Sequence, residues 1–288
     1  MRIKHLTGWG ILLLGTLAAC SAPKKNEGQR TITVTIEPQR YFTEAIAGDK
    51  FTATSMVPKG SSPETYDPIP KQLTELNQSE AYFRIGYIGF ELSWADRLIN
   101  NAPHIQVFDT SKGIAYIRED GHTHEHSHIG GIEPHVWCSP TNLRIIAKNT
   151  FDALCTLDKG NESYYLTRYD SLCQRIERTD SIIRNILKEA ASSTFMIYHP
   201  SLSYYARDYG LHQICIEEGG KEPSPAHLKE LIETCKTEKV NVIFIQPEFD
   251  RRNAEAIAKE TGTRIVPINP LAYEWEEEMI QVAKELAK

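Results

Sequence analysis

The chain alternates between short apolar stretches and longer segments in which apolar residues recur every three or four positions. β-Branched and apolar runs predict eight strands, at 31–36, 51–57, 81–86, 105–109, 194–198, 212–217, 240–245 and 264–268. Segments of helical periodicity lie between most of them. Four strand–helix units in each half predict an α/β protein with two lobes, each a mainly parallel four-stranded sheet flanked by helices.

One helical segment, at 162–190, is longer than the others. Tyr165, Leu172, Ile176 and Ile183 recur in it at helical spacing. About 30 residues at 1.5 Å each would reach roughly 45 Å, which exceeds the diameter of a small domain. We therefore predict that this helix serves both lobes. A coiled coil is the weaker alternative, because the apolar pattern lapses at 177–180.

The first 19 residues have the pattern of a secretory signal peptide. Arg2 and Lys4 precede an apolar run at 9–17, which is shorter than the roughly 20 residues that span a bilayer. The sequence Leu-Ala-Ala-Cys that ends at Cys20 resembles a bacterial lipobox, which implies cleavage before Cys20 and lipidation of its sulfur. The alternative is an ordinary secretory signal with an incidental cysteine. We expect a lipid-anchored protein of the cell envelope, facing the periplasm or the cell exterior.

These patterns divide the chain into five parts. We predict a signal peptide at 1–19, a polar tether at 20–30, an N-terminal lobe at 31–160, a linking helix at 161–191 and a C-terminal lobe at 192–288.

Composition narrows the range of partners. Hydrophobic residues make up 41% of the 288 residues, enough for real cores. Without residues 1–19 the chain keeps 30 basic and 38 acidic residues, a formal net charge of −8. An anionic surface without a long basic block argues against nucleic acid as a partner and suits the attraction of cations.

Half of the ten histidines lie at 121–140. Four of them alternate with other residues at His122, His124, His126 and His128, in a segment whose neighbouring glycines predict a loop. His135 differs, because it follows a proline and precedes Val136 and Trp137. Imidazole is a common ligand of borderline metals. The pattern favours a metal-collecting loop at 121–128 that leads to one fixed ligand, and the alternative is a solvated loop beside a core histidine.

Polar groups follow several predicted strands, at the edge where α/β sheets bind ligands. They are Glu64, His135, His199, Gln246, Glu248 and Asn269. Five cysteines remain after Cys20, an odd number without a CxxC pair. Only Cys138 lies near the proposed metal, and we expect most of the others to pack as small apolar residues.

Five segments in order resemble the zinc- and manganese-specific solute-binding proteins of ABC importers, the ZnuA-like and TroA-like group. They are GSSPETYDP from Gly60, EPHVW from Glu133, YHPS from Tyr198, EPS from Glu222 and INPL from Ile268. The resemblance covers about 31–288 and includes a histidine-rich loop typical of zinc importers. It implies two α/β lobes joined by one long rigid helix.

The resemblance also implies a ligand set. His135 and His199 match the family's second and third metal ligands. Its first ligand, normally histidine, is Glu64 here, and its fourth, normally aspartate, is Asn269. We hypothesise that Glu64 replaces both the missing histidine and the missing carboxylate charge. Gln246, Cys138 or water are alternatives to Asn269 as the fourth ligand.

The expected function is non-enzymatic: a monomer captures a divalent ion and presents it to the permease subunit of an ABC transporter. Zn²⁺ accepts two imidazoles, a carboxylate and a water, whereas Mn²⁺ or Fe²⁺ would suit a site richer in oxygen. The histidine loop favours zinc. The alternatives are a metal-sequestering adhesin-type lipoprotein and a metallohydrolase, although the chain has neither HExxH nor GxSxG.

Overall fold

A computed structural model describes residues 30–118, 131–190 and 192–288. It contains eight strands: β1 (Thr31–Val34), β2 (Thr52–Ser55), β3 (Ala81–Arg84), β4 (Gln106–Asp109), β5 (Thr194–Ile197), β6 (His212–Cys215), β7 (Val242–Ile245) and β8 (Arg264–Pro267). Its α-helices are α1 (Glu37–Ala47), α2 (Pro70–Asn77), α3 (Gly89–Asn101), α4 (Pro140–Leu157), α5 (Glu162–Leu187), α6 (Ser203–Tyr209), α7 (Pro225–Thr237), α8 (Arg252–Thr261) and α9 (Trp275–Leu286).

The strands form two four-stranded sheets in which every neighbouring pair is parallel. Their orders are β2-β1-β3-β4 and β6-β5-β7-β8. The second sheet therefore repeats the topology of the first, and the predicted fold class is confirmed. The sheets fall within the predicted lobes at 31–160 and 192–288, whose boundaries stay predictions. No helix in the described ranges is both long and apolar enough to cross a membrane.

The long helix α5 joins the two lobes. Its 26 residues extend over about 39 Å. It packs against α1 and α4 of the first lobe and against α9 of the second. Its inward positions, Tyr165, Leu172, Ile176 and Ile183, are all buried in the core. The helical periodicity therefore identified the face that holds the lobes together.

Two tryptophans join the lobes through hydrogen bonds of their indole N–H groups. The Trp137 indole N–H donates to the carbonyl of Pro270 at 2.9 Å, and the Trp275 indole N–H donates to the carbonyl of Trp137 at 2.8 Å. Both side chains are almost completely buried. Since a buried indole N–H needs an acceptor, these bonds fix the approach of the segment after β8 to the segment around Trp137.

A buried carboxylate fixes the turn between β3 and α3. Glu91 is 2% exposed and accepts hydrogen bonds from the Ile85 N–H at 2.8 Å, from the Gly86 N–H and from the Thr35 hydroxyl. Burial outweighs these donors and raises the pKa of Glu91 to about 7. The turn leads to Gly89, which contacts a residue of the predicted metal site.

We expect the stability of the metal-free protein to fall as the pH rises from about 4.5 to about 7. The folded-state pKa of Glu91, about 7, lies above its ordinary value of 4.5. The folded state therefore binds the proton of Glu91 more tightly than the unfolded state does. The stabilisation that this proton gives is complete below the unfolded-state pKa and is lost as the pH rises through the folded-state pKa. The difference between the two pKa values of Glu91 corresponds to about 3 kcal/mol in the free energy of unfolding. Urea unfolding between pH 4.5 and 7.5 measures it, and an equal pH slope in Glu91→Gln would contradict the assignment.

Candidate metal site

Two histidines from different lobes meet at the cleft. His135 lies just before a 3₁₀ turn at Val136–Cys138, and His199 lies two residues beyond the end of β5. Both are buried. Their Nε2 atoms lie 3.2 Å apart, and the ring planes are inclined at 73°. The structure therefore brings together the two histidines that were predicted as ligands.

A glutamate carboxylate lies at Nδ1 of each imidazole ring. Glu133 Oε1 lies within hydrogen-bonding distance of His135 Nδ1 and also accepts from the His135 backbone N–H at 2.9 Å. Glu217 Oε1 lies 2.8 Å from His199 Nδ1. When Nδ1–H donates to a carboxylate, the lone pair of the neutral ring is on Nε2. Both lone pairs then face the same point.

The separation of the two Nε2 atoms fits a shared metal ion. Zn–N bonds of 2.0–2.1 Å at a tetrahedral angle place two ligand nitrogens about 3.3–3.4 Å apart. The observed 3.2 Å is close to this value. Two facing lone pairs at that distance repel each other unless a cation or a proton lies between them. The pair is thus arranged to hold a positive ion.

Glu64 lies in the loop after β2, against the first residue of α3. Its Oε2 accepts from the Gly89 N–H at 3.3 Å, where the helix N-terminus favours a negative charge. Among the described residues, no group donates a hydrogen bond to its buried Oε1. A Cβ at Gly89 would lie 2.6 Å from the Glu64 carbonyl oxygen, so only glycine permits this approach. An unpartnered buried carboxylate oxygen suits a cation.

Glu64, His135 and His199 line one pocket, together with Trp137, Gln246, Glu248 and others. Its cavity volume is about 20 Å³, roughly the room that one water molecule needs. It therefore has space for an ion and not for an organic solute. Within residues 30–118, 131–190 and 192–288, no three His, Cys, Asp or Glu side chains are grouped closely enough to hold a metal together. The two histidine Nε2 atoms are thus already at the separation of two metal ligands, and the carboxylates of Glu64 and Glu248 line the same pocket.

The other candidate ligands, Asn269, Gln246 and Cys138, either line other pockets, form hydrogen bonds within the protein or lie in the hydrophobic core. Asn269 lines two neighbouring pockets, and its Oδ1 accepts from the Leu271 N–H at 3.1 Å. The Gln246 amide donates to the His199 carbonyl at 2.6 Å and to the Ser201 hydroxyl at 2.9 Å. Cys138 is fully buried in the hydrophobic core, and burial raises the pKa of its thiol. The roles of Glu64, His135, His199 and Asn269 as ligands stay predictions.

Two further predictions fall on parts of the chain that the structure does not describe. His122, His124, His126 and His128 lie outside the described residues, and so does Cys20. The five later cysteines are all free thiols, in agreement with the odd count.

The two supporting carboxylates were not among the predicted site residues. Glu133 could have been found from its place two residues before His135, because a ligating histidine usually donates its other N–H to a carboxylate or carbonyl. Glu217 lies two residues beyond the strand β6, which pairs with β5. A residue there meets the residue after β5 at the same sheet edge, so topology was needed to connect it with His199.

Comparison with known proteins finds relatives that are named for zinc or manganese. The model of the ZnuA family, described as zinc-uptake complex component A, periplasmic, matches residues 32–288. A crystal structure of ZnuA is 35% identical and superposes with a TM-score of 0.84 over 90% of this chain and 98% of that one.

Among curated relatives, the zinc-binding lipoprotein AdcA of Streptococcus pneumoniae is 26% identical over 91% of this chain, which spans about half, 54%, of that protein. The manganese ABC transporter substrate-binding lipoprotein PsaA of Streptococcus pneumoniae is also 26% identical, over 88% of this chain and 85% of PsaA. Relatives named for zinc and for manganese are thus equally similar.

Proposed function

The chain belongs to the ZnuA family of zinc-uptake complex components, and from this membership we propose that it captures a divalent transition-metal ion and delivers it to an ABC permease for import. The observation that supports the proposal best is the histidine pair, with Nε2 atoms 3.2 Å apart. A carboxylate at each Nδ1 directs both lone pairs to one point. Binding and release are sufficient for this role, and no reaction at the metal is required.

Zinc is the metal that we propose first, with manganese or iron as the alternative. The assembled part of the site is two imidazoles, which suit zinc, and the remaining pocket carboxylates would suit any of the three ions. The histidine-rich segment at 121–128 adds imidazoles that favour zinc. The relatives do not separate the metals, since they carry both names at the same identity.

We propose that a lipid on Cys20 holds the protein at the membrane surface, outside the cytoplasm. The lipobox-like sequence before Cys20 supports this, and curated relatives are named lipoproteins. An anchored carrier remains near the permease that receives its cargo.

Uptake by cells tests the function directly. A strain that lacks this chain should accumulate ⁶⁵Zn more slowly at submicromolar zinc, and the wild-type gene should restore uptake whereas His135→Ala should not. Full uptake in the deletion strain, or full rescue by the variant, would contradict the proposal and favour a sequestering lipoprotein without a permease.

We expect deletion of 121–128 to leave the tight site intact. The pocket is lined by residues of other segments, Glu64, His135 and His199. Calorimetric titration should show the same tight zinc site in the deletion variant and fewer weak sites. Loss of the tight site would show that the loop supplies a ligand and is not an accessory.

A further inference from the structure

We infer that Glu248 is the residue through which the C-terminal lobe supplies a carboxylate ligand to the metal, in place of Asn269. This inference rests on the proposed function and names a residue that determines its ligand set. Neither the ligand pattern of the family nor the position of Asn269 leads to it. The observation that leads to it is the position of the side chains of Gln246, Glu248 and Phe249, which follow β7.

Topology puts Glu248 beside His199. β5 and β7 are neighbouring strands at the centre of the second sheet, with Ile197 opposite Phe244. The strand order changes direction between them, and ligands of such sheets bind at that crevice, beyond the carboxyl ends of the strands. His199 follows β5 there, and Glu248 follows β7.

The turn that carries Glu248 is fixed on both sides by contacts with His199. On one side, the Gln246 side chain bonds the His199 backbone in both directions, accepting from its N–H at 3.4 Å and donating to its carbonyl at 2.6 Å. On the other side, the Phe249 ring stacks on the His199 imidazole, with centroids 5.2 Å apart. The Phe249 N–H closes the turn on the Gln246 carbonyl. Glu248, between these anchors, lines the pocket with Glu64, His135 and His199.

The Glu248 carboxylate is short of positive charge. The residue is partly buried, and among the described residues no lysine or arginine charge acts on it. A partly buried carboxylate without a cationic partner is costly unless a cation compensates it. An ion between the histidines would do so after a rotation of the Glu248 side chain.

Asn269 is less suited to this role. Its Oδ1 accepts from the Leu271 N–H, and the side chain lines the neighbouring pockets, whereas Pro270 and Leu271 line the pocket of the histidines. With Glu248, each lobe supplies one imidazole and one carboxylate: Glu64 and His135 from the first, His199 and Glu248 from the second. Two carboxylates balance the charge of a divalent ion.

Titration of the metal-free full chain with zinc and with manganese tests the inference. Glu248→Gln keeps the size of the side chain and removes the charge, and it should raise both Kd values about tenfold or more, because charged ligands bind divalent ions more tightly than amides. The matched variant Asn269→Ala should change them less than about threefold, since it removes no ligand. Thermal unfolding of the metal-free variants verifies that both fold.

The outcomes separate this inference from the proposed function. Wild-type affinity in Glu248→Gln, or a larger loss in Asn269→Ala, would overturn the role of Glu248, and the function would stand if His135→Ala still abolished tight binding. Absence of a tight site in the wild-type chain would instead overturn the function. As a second variant, Glu248→His should retain zinc binding better than manganese binding, because imidazole suits zinc. A residue that only shapes the turn would show no such difference between metals.

Discussion

Replacement of His135 by alanine is expected to weaken zinc binding by roughly a hundredfold to a thousandfold. Structural zinc sites bind with about 10–16 kcal/mol, which is roughly 2.5–4 kcal/mol for each of four ligands, and each 1.4 kcal/mol is tenfold in Kd. His135 Nε2 faces His199 Nε2 at 3.2 Å, so one alanine removes half of the assembled pair. His199→Ala should have an effect of the same size.

Calorimetric titration measures this loss, with His212→Ala as the control. His212 is an exposed histidine at the start of β6 in the same lobe as His199. It should bind zinc as the wild type does. If His135→Ala kept tight zinc binding, or if His212→Ala lost it, the metal would lie elsewhere in the chain.

Replacement of Glu64 by alanine is expected to weaken zinc binding by roughly a hundredfold, about the value of one ligand. The reason is that its buried Oε1 has no hydrogen-bond donor among the described residues, while its Oε2 is held by the Gly89 N–H. One oxygen is thus fixed and the other is available to an ion. Equally tight binding in Glu64→Ala would end the hypothesis that this carboxylate replaces the histidine and the aspartate of the family pattern.

Two variants make that measurement specific. Glu75→Ala removes an exposed glutamate from α2 and should leave affinity unchanged. Gly89→Ala leaves the carboxylate in place but puts a methyl group 2.6 Å from the Glu64 carbonyl oxygen, so the loop must move. Its affinity should fall toward that of Glu64→Ala. Full affinity in Gly89→Ala would show that the position of this loop is not important for binding.

The fold could be predicted because each strand and helix has its own local pattern. The stretch TITV at Thr31–Val34 and the run VIFI at Val242–Ile245 are short and rich in β-branched residues, as strands are. The inward positions of α5 repeat at helical spacing over 26 residues. Alternation of the two kinds of element leaves few topologies, and the parallel one was correct. The predicted strands at 31–36 and 212–217 were longer than β1 and β6, because the pattern continues past the last paired residue.

The site could be predicted only in part, because it depends on distances between segments far apart in the sequence. His135 and His199 were predicted as ligands from their motifs, although they are 64 residues apart in the sequence. The short distance between their Nε2 atoms follows from the packing of the two lobes. The hydrogen bond from His199 Nδ1 to the Glu217 carboxylate depends on the pairing of β5 with β6. The side-chain direction of Asn269 depends on a local turn to Leu271, which the motif does not reveal.

Titration of the metal-free full chain with zinc, manganese and iron, combined with analysis of the bound metal, tests the central claim most directly. We predict one tight site that takes zinc in preference to the other ions and disappears in His135→Ala. A wild-type chain without a tight site, or a tight site that survives in the variant, would contradict it.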